Sequence, residues 1–164
     1  MEIERKYLVA SLPENLDSYP HVEIEQCYLC TSPTVRIRRM GDVYILTIKE
    51  KVSPRPLPPG GVAEGRGGIP AIHNREEEFS LTAESYERLK SKCEGRPVLK
   101  TRYRIPLEGG FTAELDIFHG AHEGLRLVEV EFPDTAASNT FTPPAWFGED
   151  VSSDRRYRNS WLAL

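Results

Sequence analysis

Residues 34–50 read TVRIRRMGDVYILTIKE, and the character of their side chains alternates. Val35 and Ile37 interleave with Arg36 and Arg38, and Leu46 and Ile48 lead to Lys49. A period of two marks an extended strand, because successive side chains leave it on opposite faces. The same alternation runs through 2–9, 22–29, 75–81, 98–105, 111–118 and 125–132, so with 34–40 and 43–50 eight strands are predicted. Between the fifth and sixth, TAESYERLKSKCEG (82–95) predicts a helix. Thr82 suits its N-cap, Tyr86, Leu89 and Cys93 share one stripe, and Gly95 suits the C-terminal cap. Short helical segments are also predicted at 13–18 and within 154–164. Residues 52–74 hold five prolines and five glycines, lose all periodicity, and predict a flexible loop inserted between two strands. His73 reads as a solvated residue of that loop.

With 164 residues, 39% hydrophobic and 28% charged, the chain fits one globular domain spanning 1–164. A net charge of −4 argues against a dedicated nucleic-acid binder, whose domain would be basic. Apolar runs fall far short of the ~20 residues that cross a bilayer, so no membrane partner is expected. Met1 is followed at once by Glu2, Glu4, Arg5 and Lys6, so a cytoplasmic chain without a secretory leader is expected. Three cysteines make no disulfide framework. Cys27 and Cys30 form a CxxC with no second pair, and in a strand they point to opposite faces, so they read as packing residues.

The polar side of the strands is strongly ionic. It carries Glu2, Glu4 and Lys6, then Arg36 and Arg38, Lys49, Glu76 and Glu78. Lys100, Arg102 and Arg104 follow, then Glu114 and Asp116, then Glu129 and Glu131. One reading is a sheet whose charged face meets water. The other is an α+β fold built on an eight-stranded antiparallel closed β-barrel, a tunnel with its charges inside and its apolar faces outward under a few helices. Eight strands enclose room for side chains and one small ligand. Acid–acid and base–base pairs repeat strand after strand, where a solvated face would mix in uncharged polar residues. Fifteen buried charges need compensation. Carboxylate oxygens suit Mg2+ or Mn2+, and two such ions would leave the arginines and lysines to meet a multiply charged anion such as a triphosphate.

At these residues the chain resembles the CYTH domain family, also called triphosphate tunnel metalloenzymes. EIERK (2–6) matches its ExExK signature, and VRIRR (35–39) and LTIK (46–49) match its basic motifs. REEEF (75–79), LKTRYRI (99–105), ELDIF (114–118) and LVEVEF (127–132) continue in the expected order. DRRYRNSWLA (154–163) resembles the terminal helix that plugs one side of the tunnel in bacterial members. The 52–74 insertion departs from the short turn of the family.

The resemblance implies metal-dependent hydrolysis of a terminal phosphoanhydride, with inorganic tripolyphosphate cut to pyrophosphate and phosphate. Glu2, Glu4, Glu129 and Glu131 become metal carboxylates, with Glu114, Asp116, Glu76 and Glu78 nearby. Arg36, Arg38, Lys49, Lys100 and Arg102 become the phosphate clamp, with Arg104 at its margin. Lys6 either helps to deprotonate or orient the attacking water, or only binds phosphate while a metal-bound water attacks. Thiamine triphosphate, a nucleotide triphosphate, adenylate cyclase chemistry and a non-catalytic polyphosphate- or nucleotide-binding module are the alternatives. Trp146 and Trp161 read as packing residues rather than a shelf for an organic tail. A homodimer through an outer strand or helix is compatible with the pattern.

Overall fold

The computed structural model describes residues 3–52 and 73–164. Its strands are β1 (Ile3–Val9), β2 (His21–Thr31), β3 (Thr34–Met40), β4 (Val43–Val52), β5 (His73–Ser80), β6 (Glu94–Pro106), β7 (Thr112–His119), β8 (Arg126–Phe132) and β9 (Phe147–Asp150). Three short helices accompany them: α1 (Ala83–Lys90), α2 (Thr135–Thr140) and α3 (Asn159–Leu162). The strands form one sheet in the order β5-β4-β3-β2-β6-β7-β8-β1-β9, and each paired ladder is antiparallel. Antiparallel pairing and few helices agree with the expected α+β class. The ladder itself does not close. The additional strand β9 takes the free edge of β1, and no pairing joins β9 to β5 among the described residues.

The sheet nevertheless curls, since eight of its strands contribute side chains to one cavity. Its outer, apolar face is buried in two places. Tyr7, Ile105, Leu115, Val128, Val130 and Phe132 pack with Phe147 of β9, and Ala137 of α2 lies against them. Farther along, Cys27, Ile37 and Tyr86 pack together, bringing α1 onto β2 and β3. Thr82 caps α1 as expected, its hydroxyl accepting from the Ser85 N–H at 3.1 Å. The predicted helix is shorter than read: Gly95 is no cap but part of β6, where its φ is +72°. Glu25 ties the helix down, accepting from Tyr86 Oη at 2.9 Å and Lys90 Nζ at 2.7 Å.

A third apolar cluster lies at one end of the inner face. Tyr28, Val98, Phe118 and Leu127 bury there against Val151, Leu162 and Ala163 of the C-terminal segment. The inner face is thus charged along most of its length and apolar where the chain terminus covers it. The predicted 13–18 helix is a single 3₁₀ turn at Leu16–Ser18, and another turn, Arg155–Tyr157, precedes α3. Neither α2 nor β9 is predicted from sequence, because each is too short to show a period. The stretch 53–72, most of the predicted loop, lies outside the described residues. Among the described residues no helix is long and apolar enough to cross a membrane.

Candidate active site

The cavity enclosed by the sheet measures about 600 Å3. Alternation on each strand delivers the side chains: Glu4 and Lys6 from β1, Arg36 and Arg38 from β3, Lys49 from β4, Glu76 and Glu78 from β5. Lys100 and Arg102 arrive from β6, Glu114 from β7, and Glu129 and Glu131 from β8. Three predicted residues stand apart. Glu2 lies outside the described residues. Arg104 is exposed and does not line the cavity. Asp116 is 1% exposed and lies on the inner face beneath Lys100 and Arg102, a brace for its neighbours rather than a cavity-lining group.

That brace organises one flank. Asp116 accepts from Lys100 Nζ at 2.6 Å and from Arg102 Nε and Nη2 at 2.6 and 2.7 Å. Arg102 also reaches Glu129 at 3.2 Å and pairs with Glu114. Burial works against the Asp116 carboxylate, but Lys100 and Arg102 outweigh it and hold the acid below its ordinary range. Burial pushes the Lys100 ammonium below the usual lysine value; Asp116 opposes the shift and Arg102 adds to it. Arg102 shows the opposite outcome, because Asp116, Glu129 and Glu114 more than offset its burial and raise it. Lys6, opposite Glu129 in the β1–β8 register, meets it at 2.7 Å. Glu129 is also held below its ordinary value, since Lys6, Arg102 and Lys100 together overcome burial and the nearby Asp116.

The other flank is electropositive and loosely satisfied. Arg38 Nη2 lies 3.4 Å from Glu78, and Arg36 Nη2 is 4.0 Å from Glu76. Both guanidiniums have a buried Nε without a hydrogen-bond partner. Burial, then repulsion from Arg36 and Arg102, lowers Arg38 despite Glu78 and Glu114. Lys49 meets Glu76 at 2.8 Å. A buried donor with no acceptor is costly, and two of them on neighbouring arginines describe a wall shaped for an anion.

Carboxylates face one another as well. Glu4 is the cross-strand partner of Glu131, and Glu114 of Glu129. Like charges directly opposite repel; Arg102 already meets both members of the second pair, and both pairs offer oxygen donors of the kind a hard cation takes. Among the described residues no three His, Cys, Asp or Glu side chains gather into a ligand set by themselves. Mg2+ does not require one, because it keeps several waters and takes only one or two carboxylates alongside substrate phosphates.

Comparison with known proteins fits this arrangement. The chain is 40% identical over 167 residues to the inorganic triphosphatase of Nitrosomonas europaea, covering 99% of this chain and 97% of that protein. It belongs to the inorganic triphosphatase family. A second triphosphatase, from Acetivibrio thermocellus, is 34% identical over 168 residues, covering 98% of this chain and 92% of that protein. A crystal structure of an inorganic triphosphatase superposes with a TM-score of 0.72 at 37% identity, covering 100% of this chain and 95% of that one. A Hippeastrum protein, described as revealing a dominant triphosphatase activity, shares the fold alone. Its TM-score is 0.58 at 16% identity, over 85% of this chain and 83% of that one. No family model matches the chain.

Sequence reasoning missed several residues at this triphosphatase-family site. On β2 the cavity side is Ile24, Gln26 and Tyr28, while Glu23 and Glu25 face outward. Charge alone would have turned that strand the wrong way round. Gln26 is 1% exposed and donates to Tyr28 Oη at 2.7 Å. Thr47 is fully buried and donates to Glu78 at 3.1 Å; its i−2 spacing from Lys49 was the available signal. Ser152, Asp154, Arg158, Asn159 and Ser160 line the cavity from the C-terminal segment, where irregular backbone gives no period to read.

Proposed function

We propose that the protein hydrolyses a terminal phosphoanhydride of inorganic tripolyphosphate to pyrophosphate and phosphate, as a CYTH-type triphosphate tunnel metalloenzyme dependent on Mg2+ or Mn2+. The observation that carries this reading is the pair of half-buried guanidiniums of Arg36 and Arg38, each with a buried Nε that has no hydrogen-bond partner, sharing one cavity with Lys49, Lys100 and Arg102. Planar guanidinium forks match phosphate oxygens, and lysine ammoniums add point charges. The curled sheet serves as the tunnel wall, with the C-terminal segment at one end.

Charge balance supports the metal requirement. Among the described residues the lining holds seven cationic and seven carboxylate side chains, so the protein alone does not offset a triphosphate carrying roughly four or five negative charges. The donor set fits a hard divalent ion, since Glu4, Glu131, Glu114 and Glu129 offer only oxygen. When bound there, such an ion would supply electrostatic stabilisation of the charge that develops on the phosphate oxygens. The chain's own groups do the rest. Arg36, Arg38, Lys49, Lys100 and Arg102 bind and align the phosphates, and Lys6, fixed by Glu129 at 2.7 Å, holds donors toward the reacting end.

The lining favours an inorganic substrate. Tyr28 is its single aromatic side chain among the described residues. Trp146 packs on Phe147 with ring centroids 4.4 Å apart, away from the cavity, and Trp161 is half exposed. Among the described residues no aromatic shelf therefore lines the cavity for a base or thiazole ring. Phosphate release is measured over tripolyphosphate, thiamine triphosphate, ATP and pyrophosphate, with Mg2+ and with Mn2+. Preferential tripolyphosphate cleavage that stops in excess chelator is expected. Binding without release, or preference for an organic triphosphate, overturns the reading.

A further inference from the structure

The C-terminal segment that covers one end of the cavity is fastened from outside the site. Gly95 in β6 has φ +72°, and a Cβ there would lie 2.0 Å from the Ala163 carbonyl oxygen, so only glycine lets the two backbones meet. The next residue, Arg96, donates its N–H to that same oxygen at 2.7 Å. His122 Nε2 lies 2.6 Å from the Leu162 oxygen; a carbonyl only accepts, so this ring nitrogen carries the proton. Leu162 and Ala163 are buried among Val98, Phe118 and Leu127. Three separate contacts therefore pin the same two residues.

From this anchored segment two acceptors reach the site's lysines. The Tyr157 carbonyl oxygen accepts from Lys6 Nζ at 3.1 Å, and Asn159 Oδ1 accepts from Lys100 Nζ at 3.4 Å. Each ammonium is also held by a carboxylate on a neighbouring strand: Lys6 forms an ion pair with Glu129 at 2.7 Å, and Lys100 donates to Asp116 at 2.6 Å. An ammonium has three N–H donors in tetrahedral array. Fixing two of them sets the direction of the third, which a flexible four-carbon stem would otherwise leave free to rotate.

We infer that the C-terminal segment is a positioning strap as well as a cover: Asn159 aims Lys100, the Tyr157 carbonyl aims Lys6, and the Gly95–Ala163 contact holds both acceptors in register. This rests on the triphosphatase reading for what the lysines are aimed at, but not for the strap itself. Asn159 and Gly95 are positioning residues and touch no reacting atom.

The test uses the full chain with Asn159→Ala and Gly95→Ala. Tripolyphosphate hydrolysis with Mg2+ is measured beside labelling of the lysines by an amine-reactive reagent, mapped on peptides. Asn159→Ala should lower kcat/KM about tenfold, the scale of one hydrogen bond to a charged group. It should also label Lys100 several-fold faster, with the unfolding transition unchanged. Gly95→Ala should speed labelling of both Lys6 and Lys100; if it does not fold, Asn159→Ala decides alone. Wild-type labelling of Lys100 in folded Asn159→Ala overturns the strap, and faster labelling with unaltered turnover overturns its positioning role. An inactive wild type would sink the proposed function instead, leaving the labelling comparison to judge the strap.

Discussion

Asp116 lies beneath the cavity lining with Lys100 on one oxygen at 2.6 Å and Arg102 bridging both at 2.6 and 2.7 Å. One buried carboxylate thus fixes two of the cations that line the cavity. Breaking a buried pair by removing one partner leaves uncompensated charge and costs about 3–5 kcal/mol. Asp116→Asn is therefore expected to lower stability on that scale, read by urea denaturation, and to weaken tripolyphosphate binding through misplaced cations. Unchanged stability would contradict the bracing role.

Acid should act through the same carboxylates. Asp116 and Glu129 both have folded-state values depressed below their ordinary ones, outweighing the burial that opposes the shift. Their unfolded values lie near 3.9 and 4.3. Their stabilising contribution is consequently complete above about pH 4 to 5 and lost as pH falls through the lower folded values. A melting temperature that drops steeply below about pH 4, with a shallower slope in Asp116→Asn, is the expected profile.

On the proposed function Arg38 trades stability for binding. Its Nε is buried without a partner, a cost that the proposed anion would relieve. Arg38→Met should reduce tripolyphosphate affinity about 100-fold, as loss of a charge-assisted contact does, while leaving the ligand-free chain as stable or slightly more so. Calorimetric binding and thermal unfolding, with and without tripolyphosphate plus Mg2+, separate the two effects, because the stabilisation by ligand should shrink in the variant, by at most about 2.7 kcal/mol for a 100-fold weaker affinity.

Glu129 joins Lys6 to Arg102, at 2.7 and 3.2 Å. Glu129→Gln keeps the shape and removes the charge, so both cations lose their common counter-ion. A fall in kcat of about 10²-fold is expected, in the range for a misplaced catalytic group, with a KM changed by less than tenfold. Steady-state kinetics in saturating Mg2+ makes the distinction.

Cys27 of the CxxC pair should prove inert. Cys27 is 3% exposed beneath α1, and burial, helped by Cys93 and Glu25, pushes its thiol up to about 12. The thiolate is the reactive form, so iodoacetamide at pH 8 should leave Cys27 unmodified in the folded chain and label it on unfolding. Fast labelling of native Cys27 would refute its role as a packing residue.

Much of this was legible before any coordinates. Period two places Lys6 and Glu129, Arg36 and Arg38, Lys100 and Arg102 on one side of their strands, since an extended chain allows no other arrangement. The antiparallel class and helix α1 follow from the same local rules. What those rules left open had no local signature. On β2, Glu23 and Glu25 face outward because Thr101 and Lys90 wait there, at 2.7 Å each, and those partners come from distant parts of the chain.

The chain order of residues alone thus settled which side chains share a strand face and which chemistry they offer. It could not set how far the sheet curls, that β9 caps the edge of β1, that Asp116 is covered by Lys100 and Arg102 while Glu114 lines the cavity, or that Ala163 rests on Gly95. Alternation is a property of neighbouring residues, whereas burial, ion pairing and closure depend on groups tens of residues apart that meet only when the sheet folds.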